Sequence, residues 1–384
     1  MARLKKFMAV TTAGLVATAS GVGLVSTAVG AAPAPKSTFT IGVMNAMTGS
    51  LGFVGQDEIA GMNIAVSQIN KAGGVNGHKF SLKIADDQAE VDLGTTNLKR
   101  LASQDSLPVI IGPGITSVAE ATAPLTKRYK TVMITLVGQP QFTFGQPYVY
   151  EVVGSQNSND LAMVKYAQKI GMKTVGILAT NDAYGTEGLG LLGKDSAAAK
   201  MTIKYKNTWD PSALDLTPQA TAVAAANPAA LLLQGDGGST DGLMLKAIRA
   251  AGYKGKIIAD VTYATETLAP IAGNSLNTIV ALSQINYPSP DAITKGFFTA
   301  FEKRYHNVPS SLNAEGYDAV MMVAAALPKV SSWTGVNFAS VFNKLTFKGV
   351  LGTHHFTNTY HQGANFSAFI PVTFVNGKFA AVGR

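Results

Sequence analysis

Residues Thr48–Leu82 read TGSLGFVGQDEIAGMNIAVSQINKAGGVNGHKFSL and combine a glycine-rich loop, an amphipathic helix and a turn. The glycines at positions 49, 52 and 55 allow backbone shapes that a side chain would forbid, and they let a partner approach the main chain. Asp57 and Glu58 precede the apolar part, so we expect them in the first helical turn, where negative charge is favoured. The apolar residues that then recur at steps of three and four are Ile59, Met62, Val66 and Ile69.

Strand patterns flank this predicted helix. Apolar and polar residues alternate over 39–43 before the glycine loop and again over 80–84 after the turn at Asn76-Gly77. Further along, the continuous apolar run at 107–112 is typical of a parallel strand that is covered on both faces. The pattern predicts a doubly wound α/β domain.

The composition limits the possible functions. The chain has 384 residues, of which 47% are hydrophobic, enough for a large core and more typical of two domains than of one. The formal net charge is +8, but the lysines are scattered, so the charge does not indicate a nucleic-acid partner. The chain has no cysteine, which excludes disulfides, thiolate metal sites and a lipid anchor on a cysteine.

The N-terminal segment has the pattern of an export signal. Arg3, Lys5 and Lys6 precede an apolar run over 7–29, and small residues follow at 29–31. We therefore expect residues 1–31 to be a cleaved signal peptide and 32–38 to be a linker. An uncleaved membrane anchor is the alternative, although Thr, Ser and Gly interrupt the run. The mature protein is expected in the periplasm or outside the cell, without a lipid anchor.

The α/β alternation occurs twice along the chain. A polar stretch at 151–160, EVVGSQNSND, predicts a first crossing into a second doubly wound domain. A Pro/Ser-rich segment at 283–290, SQINYPSP, predicts a second crossing, and two helices at 291–305 and 313–327 then return to the first domain. Near the end of the chain, Asn376-Gly377 between apolar runs predicts a β-hairpin.

The chain resembles a known protein family in five segments and in their order and spacing. They are MTGSLGFVGQDEIAGMNIAVSQINKAGGVNG at 47–77, DDQ at 86–88, VIIGPGITS at 109–117, NDAYGTEG at 181–188 and LNAEGYDAVMMVAAAL at 312–327. Together they resemble the type I periplasmic solute-binding proteins of ABC importers, specifically the branched-chain amino acid (leucine/isoleucine/valine) binding family. The resemblance covers nearly the whole mature chain.

The resemblance implies an architecture and a mechanism. Members of this family have two Rossmann-like lobes joined by three crossings, with a small ligand in a cleft that a hinge closes. Here the third crossing would fall near Phe347–Gly352. The expected lobes are residues 39–156 plus 286–349, and residues 157–285 plus 350–384.

Loops after strands hold the candidate ligand residues, because ligands in such folds lie beyond the carboxyl ends of the strands. The loop after 109–112 offers hydroxyls and a helix N-terminus, which suits a carboxylate, although an ordinary helix cap is the alternative. By resemblance Thr116 binds the ligand carboxylate between Ile115 and Ser117. Val137 and Gln139 stand where the family has a small residue followed by Ser or Thr, a departure that changes the pocket.

The predicted second lobe would supply the opposite wall. Tyr184 matches the family's cleft aromatic residue, while Phe53 in the opening loop of the first lobe would add an apolar wall. Asp236 stands where relatives often place an aromatic wall and could receive an ammonium group, or could simply cap a helix. Asp260 is the candidate for the family's amine-binding acid, although Val261 occupies the strict match.

Signatures of enzymes and metal sites are missing from the sequence. No Lys-Ser/Thr follows the glycines of the opening loop, and there is no G-x-S-x-G motif. The histidines at 354, 355 and 361 match no defined metal motif. We therefore expect a monomeric solute-binding protein without cofactor, metal or catalysis, whose ligand is an amino acid or a related carboxylate or amide. Its partners would be the membrane subunits of an ABC permease, not nucleic acid; a sensing module of the same fold, feeding a receptor or a sensor kinase, is the alternative.

Overall fold

Two sheets organise the chain in the computed structural model, which describes residues 36–49 and 51–382. The signal predicted at residues 1–31 lies outside the described residues. In chain order the strands are β1 Phe39–Asn45, β2 Phe80–Asp86, β3 Val109–Ile111, β4 Val132–Thr135, β5 Val149–Glu151, β6 Thr174–Thr180, β7 Thr202–Trp209, β8 Ala230–Gln234, β9 Lys256–Ala259, β10 Ile279–Ser283, β11 Thr346–Gly349, β12 Gly352–His355, β13 Ile370–Val375 and β14 Lys378–Ala381.

Helices follow most of the parallel strands. They are α1 Gly52–Lys71, α2 Val91–Lys99, α3 Thr116–Tyr129, α4 Gln156–Lys169, α5 Ala183–Ala198, α6 Thr217–Ala226, α7 Ser239–Ala250, α8 Ala269–Ala272, α9 Ala292–Tyr305, α10 Ser311–Ala326 and α11 Gly335–Phe342. None of these helices combines the length and the apolar character needed to span a bilayer, as far as the described residues extend.

The first sheet is entirely parallel, with strand order β2-β1-β3-β4-β5. The second has the order β14-β13-β10-β9-β8-β6-β7, and β13 and β14 join its parallel strands in antiparallel fashion. Short strands such as β3, β4 and β8 are buried along their whole length, as expected where helices cover both faces. The predicted hairpin at Asn376-Gly377 is confirmed, since these residues have φ values of 52° and 78° between β13 and β14.

Helix α1 begins earlier than its apolar stripe predicts. Its first residue is Gly52, so Asp57 and Glu58 lie in the second turn and not at the N-terminus. The expectation of a free glycine loop is therefore wrong for Gly52 and Gly55. A side chain at Gly55 would overlap the Ala46 carbonyl, because the start of the helix packs directly on the segment after β1. The glycines serve close packing, which the sequence pattern alone does not distinguish from loop flexibility.

A second close contact joins α1 to α10. A Cβ atom at Gly61 would overlap the Asn313 carbonyl, and one at Gly316 would overlap the Glu58 carbonyl. The two backbones therefore touch at two neighbouring points, which fixes the crossing of the helices. Glu58 and Glu315 are both buried at this crossing.

Packing of the hydrophobic core follows the two sheets. The cluster around the first sheet includes Val153, Ile285 and Phe356, whereas the clusters around the second sheet include Met163 and Phe369. The chain thus changes core between 153 and 163, and again near 285, where crossings are predicted. The exact residues at which one lobe ends and the other begins stay a prediction.

The predicted third crossing near Phe347–Gly352 coincides with a tight antiparallel hairpin of β11 and β12. Asp318 of α10 accepts the N–H groups of Val350 and Leu351 at 2.9 and 2.8 Å, which holds this hairpin on the first core. The His361 carbonyl still accepts a hydrogen bond from Glu151 in β5. The hairpin strands pair with each other and not with the second sheet, so the hairpin does not carry the chain across. Because His361 still bonds β5 of the first sheet, the chain leaves the first core only after His361.

The α1–α10 crossing gives a stability prediction. Gly316→Ala should lower the free energy of unfolding by about 3 kcal/mol, because the new methyl group meets backbone that cannot move away. Gly296→Ala in α9 is the matched control: a Cβ there meets nothing within 4 Å, so the change should stabilise by about 0.5–1 kcal/mol. Urea denaturation of both variants measures the difference. Equal effects would contradict the close crossing.

Candidate functional site

A cavity of about 270 Å³ lies where the carboxyl ends of both sheets meet. The first sheet supplies the loops after β2, β3 and β4, and the second sheet supplies the loops after β6, β8, β9 and β10. Of the residues selected from sequence, those that line this cavity are Ile115, Thr116, Ser117, Val137, Tyr184 and Asp236. A ligand in the cavity would therefore contact both sheets.

Three other predicted residues lie elsewhere. Phe53 is in the first turn of α1 and lines a second cavity of about 340 Å³, which shares Asp236 with the first. Gln139 and Asp260 are buried and do not line either cavity, so they lie one layer behind the wall. That these two contact a ligand directly stays a prediction.

The N-terminus of α3 presents unpaired hydrogen-bond donors to the first cavity. Thr116 is only 6% exposed, yet neither its hydroxyl nor that of Ser117 has a hydrogen-bond partner among the described residues. The N–H groups of these two residues also lack an acceptor there, as expected in the first turn of a helix. This arrangement fits a carboxylate, because four donors without partners lie at the positive end of the helix dipole.

The loop before α3 is held by a buried network at the end of β1. The Asn45 side chain accepts the Gly114 N–H at 3.1 Å and donates to the Glu58 carboxylate. A side chain at Gly114 would overlap that carboxylate, so the position requires glycine. The opening segment of the chain thus positions the donors of α3 through Asn45 and Glu58.

On the opposite wall, Tyr184 donates a hydrogen bond from its hydroxyl to Asp260 at 3.1 Å. Thr262 donates a second one at 2.6 Å. Burial raises the pKa of Asp260 to about 7, although both hydrogen bonds favour the ionised form. Asp260 therefore orients the cavity-lining residues Tyr184 and Thr262 from behind.

Asp236 lies on a loop that a second carboxylate holds in place. Asp241 is fully buried and accepts the Gly237 N–H at 3.0 Å. Asp236 accepts the Gly238 N–H through Oδ1 at 2.8 Å, while its Oδ2 has no partner among the described residues. The N-cap of α7 is Gly238, so Asp236 shapes the loop before the helix and does not cap it. One carboxylate oxygen remains available to a ligand.

A chain of amide side chains links the two sides of the cavity. Gln139 donates to Gln156 at 2.7 Å, and Gln156 donates to the Tyr184 carbonyl at 2.7 Å. Gln141 donates to Glu187 of α5 at 2.7 Å. Gln139, which departs from the family pattern, thus acts on Tyr184 through Gln156.

Sequence reasoning missed several residues that line the cavity, namely Glu90, Gln156, Asn159, Asp182, Gln284 and Glu315. A signal existed for Glu315, because Glu315 and Asp318 are two carboxylates directly before the apolar run of the segment LNAEGYDAVMMVAAAL. Gln156 and Asn159 start a helix at a predicted crossing, and nothing in their local pattern distinguishes them from ordinary polar residues.

The histidines take part in packing. The Nε2–H of His354 donates to the Val152 carbonyl at 2.7 Å, and the Nδ1–H of His361 donates to the Val149 carbonyl at 3.0 Å. Burial lowers the pKa of both rings, which favours the neutral form. No group of three or more His, Cys, Asp or Glu side chains suited to a metal ion occurs in the described part of the chain.

Known proteins that are similar in sequence identify the family of this chain. The sequence model described as "Periplasmic binding protein" matches residues 38–377. The chain belongs to the periplasmic binding protein family. The predicted recognition is thereby confirmed, as is the role of a solute-binding protein.

Two relatives of this periplasmic binding protein are named as amino-acid binding proteins. "Leu/Ile/Val-binding protein homolog 3" of Brucella melitensis is 25% identical, over 79% of this chain and 82% of its own. The "Leucine-, isoleucine-, valine-, threonine-, and alanine-binding protein" of Pseudomonas aeruginosa is 22% identical, over 82% and 84%. These relatives are binding proteins, and their family name implies export to the periplasm.

Solved structures confirm the fold class of two doubly wound lobes. The branched-chain amino acid transporter substrate binding protein LivJ of Streptococcus pneumoniae, in complex with isoleucine, aligns with a TM-score of 0.80. The two chains are 22% identical, and the alignment covers 90% of this chain and 98% of LivJ. The leucine binding protein LivK of Thermotoga maritima also gives a TM-score of 0.80, at 20% identity and the same coverage.

The buried Asp260 predicts a pH dependence of stability. The folded protein holds the proton of this carboxyl up to about pH 7, whereas the unfolded chain loses it near the usual value of 3.8. The carboxyl therefore contributes its full stability below about pH 4, and that contribution is lost as the pH rises through about 7. Asp260→Asn cannot ionise, so its free energy of unfolding should improve relative to wild type by on the order of 3 kcal/mol between about pH 4 and 8.

Urea denaturation of both proteins across this pH range measures the difference at each pH. A difference that stays constant with pH would contradict the raised pKa of Asp260.

Proposed function

We propose that this periplasmic binding protein captures an amino acid, or a closely related small carboxylate or amide, in the first cavity and delivers it to an ABC permease. The observation that carries the proposal is the group of unpaired donors at Thr116 and Ser117, which line the same cavity as Tyr184 and Asp236. A zwitterion fits this arrangement, because its carboxylate can accept from the donors on one wall and its ammonium group can donate to the acceptors on the other. The names of the relatives, which are amino-acid binding proteins, support the same ligand class.

Binding needs no chemical step in this proposal. The donors of α3 belong to the first sheet and the acceptors Tyr184 and Asp236 to the second, so a ligand satisfies both sets only when the walls are close. Such a ligand has higher affinity for the closed arrangement and shifts the hinge equilibrium towards it. A permease that recognises only the closed form would then distinguish loaded from empty protein.

We propose that the protein acts as an exported monomer without a lipid anchor and does not bind nucleic acid. We also propose that it releases its ligand without catalysing any reaction on it. The description of LivJ as a transporter substrate binding protein favours transport over sensing.

A thermal-shift panel tests the ligand class. L-Amino acids should raise the melting temperature, because they bind the folded protein alone, whereas matched amines without a carboxylate should raise it less. Amides and small organic acids complete the panel. A panel in which no amino acid raises the melting temperature would defeat the proposal.

Thr116→Val tests the proposed carboxylate contact. Removal of a hydroxyl that donates to a charged group should weaken amino-acid binding by roughly tenfold or more, measured by calorimetry. Thr126→Val is the matched control, because the Thr126 hydroxyl lies at the other end of α3 and bonds the Ala123 carbonyl at 2.7 Å. The control should bind as the wild type does; an equal loss in both variants would show an effect on the helix and not on the ligand contact.

A further inference from the structure

The second cavity adjoins the first and has a different character. Its volume is about 340 Å³, and the residues that line both cavities are Asp236, Val261, Thr262, Leu312 and Glu315. A ligand whose carboxylate lies at α3 could therefore extend from the first cavity into the second. The inference below rests on the proposed function in this respect.

The ionisable side chains that line the second cavity are all acidic. They come from Asp57 of α1, Asp236 of the loop before α7 and Glu315 of α10. Within the described residues, no lysine, arginine or histidine lines either cavity. A neutral aliphatic side chain would leave these carboxylates facing apolar atoms without compensation.

Glu315 is the most informative of the three acids. It is only 6% exposed, and its carboxylate has no hydrogen bond or ion pair among the described residues. Glu58 next to it is also buried but accepts a hydrogen bond from Asn45. A buried carboxylate with no partner is costly in an empty site, and a ligand that donates hydrogen bonds to it removes that cost.

Asp236 and Phe53 lie close together and both line this cavity. A Cβ atom built at Gly238 would be 2.9 Å from the Asp236 carboxylate and 3.4 Å from the Phe53 ring. The Oδ2 atom of Asp236 has no partner among the described residues. A carboxylate beside an aromatic ring is a favourable environment for an ammonium or guanidinium group, which both of them attract.

Burial is the largest effect on all three acids, and it raises the pKa of Asp57, Asp236 and Glu315. In the empty protein these carboxyls therefore hold protons at a higher pH than usual. A bound cation would reverse the shift, because opposite charge favours the ionised form.

We propose that the second cavity is a subsite for a cationic group, an ammonium or a guanidinium, carried at the far end of an amino-acid ligand. Glu315 accepts its hydrogen bonds together with the free Oδ2 atom of Asp236, which lines both cavities and so also faces the α-ammonium group, and the Phe53 ring covers it. The preferred ligands are then basic amino acids and not the branched aliphatic ones in the names of the relatives.

Matched ligand pairs test this proposal by calorimetry on the exported protein. Lysine and norleucine differ by one ammonium group, and arginine and citrulline differ by the charge of a group of nearly equal shape. The cationic member of each pair should bind at least about tenfold more tightly in the wild type. Glu315→Gln and Asp236→Asn should each reduce this preference several-fold.

Glu302→Gln is the control variant, because it removes the same charge from an exposed position of α9 that lines neither cavity. It should keep the preference for the cationic ligands. Melting curves of all variants check that each is folded. Loss of the preference in Glu302→Gln as strongly as in Glu315→Gln would overturn the assignment, since long-range charge would then explain it.

The panel separates failure of the subsite from failure of the proposed function. Neutral amino acids that bind as tightly as their cationic partners would overturn the subsite and leave the proposed function intact. Binding of 1,5-diaminopentane and agmatine without binding of any amino acid would overturn the proposed carboxylate site and support the cationic subsite. No binding of any of these compounds would overturn both.

Discussion

The close contact of α1 with the end of β1 and with α10 is the constraint on which the site depends. At Gly55, Gly61 and Gly316 backbone meets backbone, so no side chain can separate the elements. The contact buries Glu58 and Glu315 side by side, and no positively charged side chain of the described residues pairs with either of them. Through Asn45, Glu58 then reaches Gly114 and fixes the loop in front of α3. One packing arrangement thus sets both the donor wall and part of the acid wall.

The uneven distribution of donors and acids around the cavities determines the orientation of a bound ligand. The donors at the start of α3 are neutral groups aligned with a helix dipole, whereas Asp236 follows a strand of the second sheet and Asp57 and Glu315 line the second cavity. A zwitterion can satisfy both sides in only one orientation. Because the acids are largely buried, their interaction with a ligand is screened less by salt than an exposed ion pair would be.

A layer of buried polar groups supports the residues that face the cavities. Asp260 lies behind Tyr184, Asp241 lies behind the loop of Asp236, and Gln139 reaches Tyr184 through Gln156. Such a layer fixes rotamers, and small changes in it alter the geometry of the ligand contacts without touching the ligand. The departure from the family pattern at Gln139 therefore acts on the position of Tyr184.

Local pattern was enough to recognise the α/β alternation and the terminal hairpin, which follow from periodicity and turn residues that lie near one another in the chain. The family, and with it the positions of Thr116 and Tyr184 on the first cavity, came from the resemblance of five segments. Other features depend on tertiary contacts: the start of α1 at Gly52, the late exit of the chain from the first core after His361, and the role of Glu315 as a shared wall. No local pattern specifies which backbone a glycine must approach or which cavity a buried carboxylate faces, because both are set by packing in three dimensions, which for Glu58 and Glu315 joins residues more than 200 positions apart.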